Sequence, residues 1–165
     1  MGYLNLNRIK ILQGVSAALI LFSACILTAG NDRIWLTDFE QAKKVSAERN
    51  LPILADFTGS DWCPYCIKLE KEVFSKREFI EFAEKNFVLL RIDFPEHIPE
   101  DKMDAQKKLA ETYDIKVFPT VVILDKNGKF IMKSGYREGG CKSYISFLKI
   151  VKKLADIYSD VAAKR

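Results

Sequence analysis

Histidine is nearly absent from this chain: its 165 residues include one, His97, and only four cysteines, at positions 25, 63, 66 and 141. A structural zinc site needs four such ligands at close spacing, and His97 and Cys141 do not supply that spacing around Cys63 and Cys66. Strong charge of one sign is missing as well. Outside residues 1–30, 24 basic residues face 22 acidic ones, and no basic stripe alternates with aromatics. That balance excludes nucleic acid as the expected partner. Internal repeats, low-complexity tracts and a second domain are likewise absent from the pattern. What remains is ordinary for a globular chain, with 48% hydrophobic and 29% charged residues, in a length suited to one domain that buries its core without disulfide staples.

Residues 1–30 contain no acid. Arg8 and Lys10 precede Ile11 to Gly30, a stretch apolar or small apart from Gln13, Ser16, Ser23 and Thr28. A short basic region followed by an apolar one is an export pattern, and it is favoured over a buried N-terminal helix because the stretch is apolar on every face. Three endings are open. Phe22-Ser23-Ala24-Cys25 is similar to a bacterial lipobox with Cys25 as the lipidated residue, although Phe22 stands where Leu is usual. Thr28-Ala29-Gly30 offers small-residue cleavage before Asn31. Retention as an anchor is the third, because about 20 apolar residues span a bilayer. Each ending puts a domain of residues 31–165 outside the cytoplasm.

Within that domain, Thr37 and Glu40 have the spacing of a capping box and predict a helix running to Arg49. Ile53–Thr58 reads as a short buried strand, followed by Gly59-Ser60 and a helix that starts at the cysteine pair and is interrupted near Ser75-Lys76. Phe87–Phe94 is a second strand, Pro95 and Pro99 bracket a polar loop containing a solvated His97, and Asp101–Tyr113 is an exposed helix. Thr120–Leu124 and Lys129–Lys133 flank an Asn-Gly turn and predict a hairpin. Ile145, Leu148, Val151, Leu154 and Ile157 predict a final amphipathic helix after Gly139-Gly140. Strands joined through helices pair in parallel, and the hairpin adds an antiparallel edge. The expected fold class is therefore α/β: a mixed central sheet flanked by helices on both faces.

Three cysteines fall in this domain, an odd number and a poor disulfide framework. Two of them, Cys63 and Cys66, are separated by two residues in Trp62-Cys63-Pro64-Tyr65-Cys66. The placement of this segment after one strand, with Phe118-Pro119-Thr120 before another, resembles the thioredoxin superfamily, and within it the exported bacterial thioredoxin-like proteins of the Dsb type. The resemblance covers roughly residues 32–158, including Ala55-Asp56-Phe57 and the Asp125–Gly128 hairpin. Three departures stand out: one extra residue between Asp56 and Cys63, an insertion-like stretch over Pro95–Lys108, and the Pro64-Tyr65 dipeptide that glutaredoxins use.

The resemblance implies a thioredoxin-like fold and a thiol–disulfide oxidoreductase that needs no cofactor and no metal. Cys63, at a helix start, would be the more exposed attacking thiolate, favoured by unpaired backbone N–H groups and the helix dipole. Pro64 suits the first turn of that helix. Cys66 would resolve the mixed disulfide, and Asp56 would take its proton. Pro119 would follow a cis bond beside the dithiol, with Phe118 next to the substrate chain, while Trp62 and Tyr65 would shape the docking surface. The charge of Asp61 would oppose thiolate formation at Cys63. Cys141 reads as a small buried hydrophobe. The implied partners are cysteine-containing exported proteins and a soluble or membrane thiol donor, in the periplasm of a bacterium. Reduction or isomerisation is favoured over oxidation, because the family's strong oxidants usually carry a large helical insertion. A disulfide-forming oxidase, a metal-binding protein and a non-catalytic binding module are the alternatives.

Overall fold

The computed structural model describes residues 34–97 and 100–163. Cys25, the export segment, the cleavage site at Thr28–Gly30, the boundary at residue 31 and Pro99 lie outside the described residues.

Among the described residues five strands form one sheet in the order β1-β3-β2-β4-β5. They are β1 (Trp35–Leu36), β2 (Ile53–Thr58), β3 (Val88–Asp93), β4 (Thr120–Leu124) and β5 (Phe130–Ser134). β1 and β2 pair in parallel with β3, and β4 pairs antiparallel with both β2 and β5. This is the mixed sheet expected. The two-residue β1 gives no apolar run of its own, and its pairing of Trp35 with Leu89 exists only in the folded sheet.

Among the described residues five α-helices accompany the sheet: α1 (Phe39–Arg49), α2 (Pro64–Leu69), α3 (Arg77–Asn86), α4 (Glu100–Thr112) and α5 (Gly140–Ala163). Strand alternation sorts the core into two layers. Leu54 and Leu89 face α2, α3 and α5 together with Phe74, Phe79, Tyr144 and Leu148. Ile53, Ala55, Phe57 and Leu90 face α1 and α4, where Ala42, Leu109 and Tyr113 pack. Helices therefore cover both faces.

Two sequence expectations need correction. The cap of α1 is Asp38, not Thr37: its carboxylate accepts from the Gln41 amide at 2.6 Å, and its extended φ of −107° places the helix start one residue later. On α5, Leu148 and Val151 are buried as expected, but Leu154 and Ile157 face outward while Tyr144 and Ala155 take core positions. The interruption after the cysteine helix is present. A π-helical turn spans Glu70–Phe74, and Ser75-Lys76 separates it from α3.

A dithiol over a buried carboxylate

The same alternation that directs Leu54 towards α2 carries Asp56 and Thr58 to that face, so the end of β2 brings a carboxyl beneath the cysteine helix. Gly59 then turns the chain. A β-carbon at Gly59 would lie 2.5 Å from Cε2 of Trp62, so the indole rests on a position only glycine leaves open. The indole N–H donates to the Phe94 carbonyl at 2.6 Å, and its ring meets Phe118 edge-on at 5.8 Å. Phe118 in turn packs on Phe94. Trp62 is half exposed and Tyr65 more so, which places both on the surface and not in the core.

Cys63 caps α2, and its Sγ accepts from the Cys66 amide at 3.3 Å. Pro64 follows in the first turn, where no N–H is required. Cys63 and Cys66 form a disulfide with their Cα atoms 5.2 Å apart. The Gly59 amide points at Cys66 Sγ from 3.5 Å. Both cysteines are 3% exposed, so the oxidised site does not give Cys63 the greater exposure expected of it.

Antiparallel pairing sets Thr120 opposite Phe57, so β4 starts at the end of the sheet where β2 delivers the cysteines. The Phe118–Pro119 peptide bond is cis. Pro119 is buried and Phe118 partly so, and the Thr120 hydroxyl donates to the Val117 carbonyl at 2.7 Å. Val117 itself is 68% exposed beside this segment. Asp61 is held by the Glu96 amide, which donates to both carboxylate oxygens at 3.1 Å. His97 is exposed, and Cys141 is only partly buried against the α3/α5 layer, where burial pushes its thiol pKa up.

Beneath the dithiol lies a cavity of about 220 Å³ lined by Asp56, Thr58, Ser60, Cys66, Glu70 and Arg91. Asp56 is 3% exposed, and its Oδ1 has no hydrogen-bond partner among the described residues. Burial raises its pKa to about 7; Arg91 opposes that shift, while Glu70 and Asp93 add to it. The Asp56 carboxyl thus shares this cavity with Cys66. Glu70 and Arg91 escaped the sequence reading. Two signals were there: Glu70 lies four residues after Cys66 on one helix face, and Arg91 breaks an otherwise apolar strand.

A sequence model of the thioredoxin-like domain matches residues 39–140. The chain belongs to the thioredoxin-like family. A relative named disulfide bond reductase DsbH, from Chlamydia pneumoniae, is 34% identical over 118 residues, covering 70% of this chain and 71% of that protein. Thioredoxin-related protein DsbJ of the same organism is 30% identical over 140 residues, 79% of this chain and 40% of its own length. A solved structure of a DsbH oxidoreductase superposes with a TM-score of 0.67 at 34% identity, covering 73% of this chain and 84% of its own. A thioredoxin from Thermus thermophilus shares the fold at 18% identity and a TM-score of 0.54, over 72% of this chain and 86% of that one. With an intact Cys63–Cys66 pair in this fold, the protein is a thiol–disulfide oxidoreductase.

Proposed function

We propose that this chain reduces or isomerises disulfides in extracytoplasmic proteins through the Cys63/Cys66 dithiol. The observation that carries the reading is the buried Asp56 carboxyl in the cavity that Cys66 lines, its pKa raised to about 7. The 34% identity to a protein named disulfide bond reductase supports the reductive direction.

In the reduced protein, the Cys63 thiolate attacks one sulfur of a substrate disulfide. The substrate S–S bond breaks, a Cys63–substrate mixed disulfide forms, and the departing substrate thiolate takes a proton from solvent. Cys66 gives its proton to Asp56, and its thiolate attacks Cys63 Sγ, expelling the second substrate thiolate. Two electrons pass to the substrate and the protein is left with the Cys63–Cys66 disulfide. A dithiol donor, soluble or membrane-bound, restores the reduced pair by the reverse exchange. Isomerisation follows when a second substrate thiolate resolves the mixed disulfide first. Trp62, Pro64, Tyr65, Phe118 and Pro119 receive the substrate chain, and the aromatic edge formed by Trp62 and Phe118 supports that role.

Residues 1–30 act as the export segment of a thioredoxin-like domain that begins at residue 31, and the protein works in the periplasm of a bacterium. Among the described residues no helix is long and apolar enough to cross a membrane. The mass of the mature chain distinguishes lipidation at Cys25, cleavage after Gly30 and retention of the segment.

Equilibration in glutathione buffers of graded ratio tests the direction. A potential near thioredoxin's, about −270 mV, is expected of a reductase; one near −120 mV would replace this reading with an oxidase.

A further inference from the structure

Helix α5 has two apolar faces. Tyr144, Leu148, Val151 and Ala155 are buried against the sheet. Beside them runs a second row, Ile150, Leu154, Ile157 and Val161, which is 62%, 42%, 58% and 49% exposed. The intervals are four, three and four residues, the 3.5-residue period of a coiled-coil seam. One step upstream, the row is closed: the Arg137 guanidinium lies 4.3 Å from the ring centre of Phe147. The open seam therefore starts at Ile150 and extends for about 16 Å along the helix.

The charges beside this seam are antisymmetric. Lys153 and Asp160 each immediately precede a seam residue, seven positions apart, and both are exposed. Lys149 and Asp156 repeat the pattern one row further out, again seven apart and of opposite sign. Asp156 is steadied by Lys152 at 2.6 Å on its own helix. We propose that this face joins two copies of the chain as an antiparallel helix pair about a two-fold axis between Leu154 and Ile157. In that arrangement Leu154 meets Ile157 of the partner subunit, Ile150 meets Val161 of the partner subunit, and Lys153 meets Asp160 of the partner subunit. Every contact occurs twice, as an isologous interface requires. A parallel pair would set lysine level with lysine and aspartate level with aspartate. An anionic membrane surface is the poorer occupant, because Asp156 and Asp160 would face its headgroups.

Four seam residues form a contact below the roughly 1,200–2,000 Å² of stable complexes, so the pair dissociates on dilution. The test is sedimentation equilibrium of the full chain in density-matched detergent over a hundredfold concentration range. The expected mass rises from one protein copy to two. Leu154→Glu with Ile157→Glu holds the protein at one copy throughout, with insulin reduction unchanged as the check on folding. Lys153→Glu alone and Asp160→Lys alone each weaken self-association about tenfold by setting like charges together, and an equimolar mixture of the two restores it. One copy at every concentration overturns the proposal. So does a two-copy species that ignores these substitutions, or a monomer whose α5 face binds anionic vesicles.

Discussion

Asp56 and Arg91 stand opposite one another in the parallel register of β2 and β3, yet the Arg91 guanidinium is engaged by Glu70 Oε2 at 2.5 Å. It also lies over the Trp35 ring, 4.6 Å from the centroid. The cation that would pull the Asp56 pKa down is thus shared with a second carboxylate, and burial dominates the balance. Most of the expected pH behaviour follows from this triangle.

Asp56→Asn is expected to change how stability depends on pH. The folded-state pKa of about 7 lies above the unfolded value of 3.8. Between these values the folded protein keeps a proton that the unfolded chain has released, so wild-type stability falls as pH rises through that window and levels off above it. The full span is up to about 4 kcal/mol, at about 1.36 kcal/mol per pKa unit. The Asn variant removes this slope, leaving it more stable than wild type at pH 8 and little different at pH 4. Urea midpoints of the oxidised protein measure it. Disulfide reduction slows by roughly one to two orders of magnitude if Asp56 accepts the Cys66 proton.

Arg91→Met and Glu70→Gln should move the acid limb of the rate profile in opposite directions. Removing the guanidinium takes away the influence that lowers the Asp56 pKa; removing the Glu70 charge takes away one that raises it. Shifts of about one pH unit are expected, upward for Arg91→Met and downward for Glu70→Gln. Insulin reduction at graded pH reads both, and shifts of the same sign would rule out this electrostatic account.

The cysteine pair and the cis-proline segment were legible because each is a local signal of a few residues, Trp62–Cys66 and Phe118–Thr120. The mixed parallel and antiparallel character of the sheet was legible too, since parallel strands need a crossover and the Asn-Gly turn marks a hairpin, but the strand order was not. The Arg91–Glu70 contact was not legible. It joins β3 to the end of the cysteine helix across 21 residues of sequence, and nothing local sets that distance. The outward turn of Leu154 and Ile157 was hidden for a related reason. Their spacing satisfies the helical period equally well whether they face the sheet or lie beside it. The cap moved from Thr37 to Asp38 because both residue types cap, and the backbone chose between them.

Cys63→Ser is expected to abolish turnover. Cys66→Ser should instead accumulate a Cys63–substrate mixed disulfide, because attack proceeds and resolution does not. Intact-mass measurement after mixing with an oxidised substrate distinguishes them. Accumulation in the Cys63→Ser protein would reverse the assignment of the two sulfurs.

Gly59→Ala should act through Trp62. The new methyl would sit 2.5 Å from the indole, which must swing away and lose its bond to the Phe94 carbonyl. A stability loss of about 1 kcal/mol is expected from that hydrogen bond. The larger effect is on substrate: KM rises several-fold because the edge shared with Phe118 is dismantled. Trp62→Ala should match that KM. A normal KM in both variants would exclude the indole from substrate docking.

Tyr144→Phe offers a stability gain in the core layer on the Asp56 side of the sheet. Tyr144 is fully buried between Phe74 and Phe147, and its hydroxyl has no hydrogen-bond partner among the described residues. Burial drives its pKa well above the ordinary tyrosine value, so the group stays neutral at any working pH. A buried hydroxyl without a partner costs about 1–3 kcal/mol of desolvation, and phenylalanine keeps the ring contacts without it. The expected result is a thermal midpoint equal to or above wild type by a few degrees. A loss exceeding about 1 kcal/mol would mean that the hydroxyl is satisfied, most simply by a buried water.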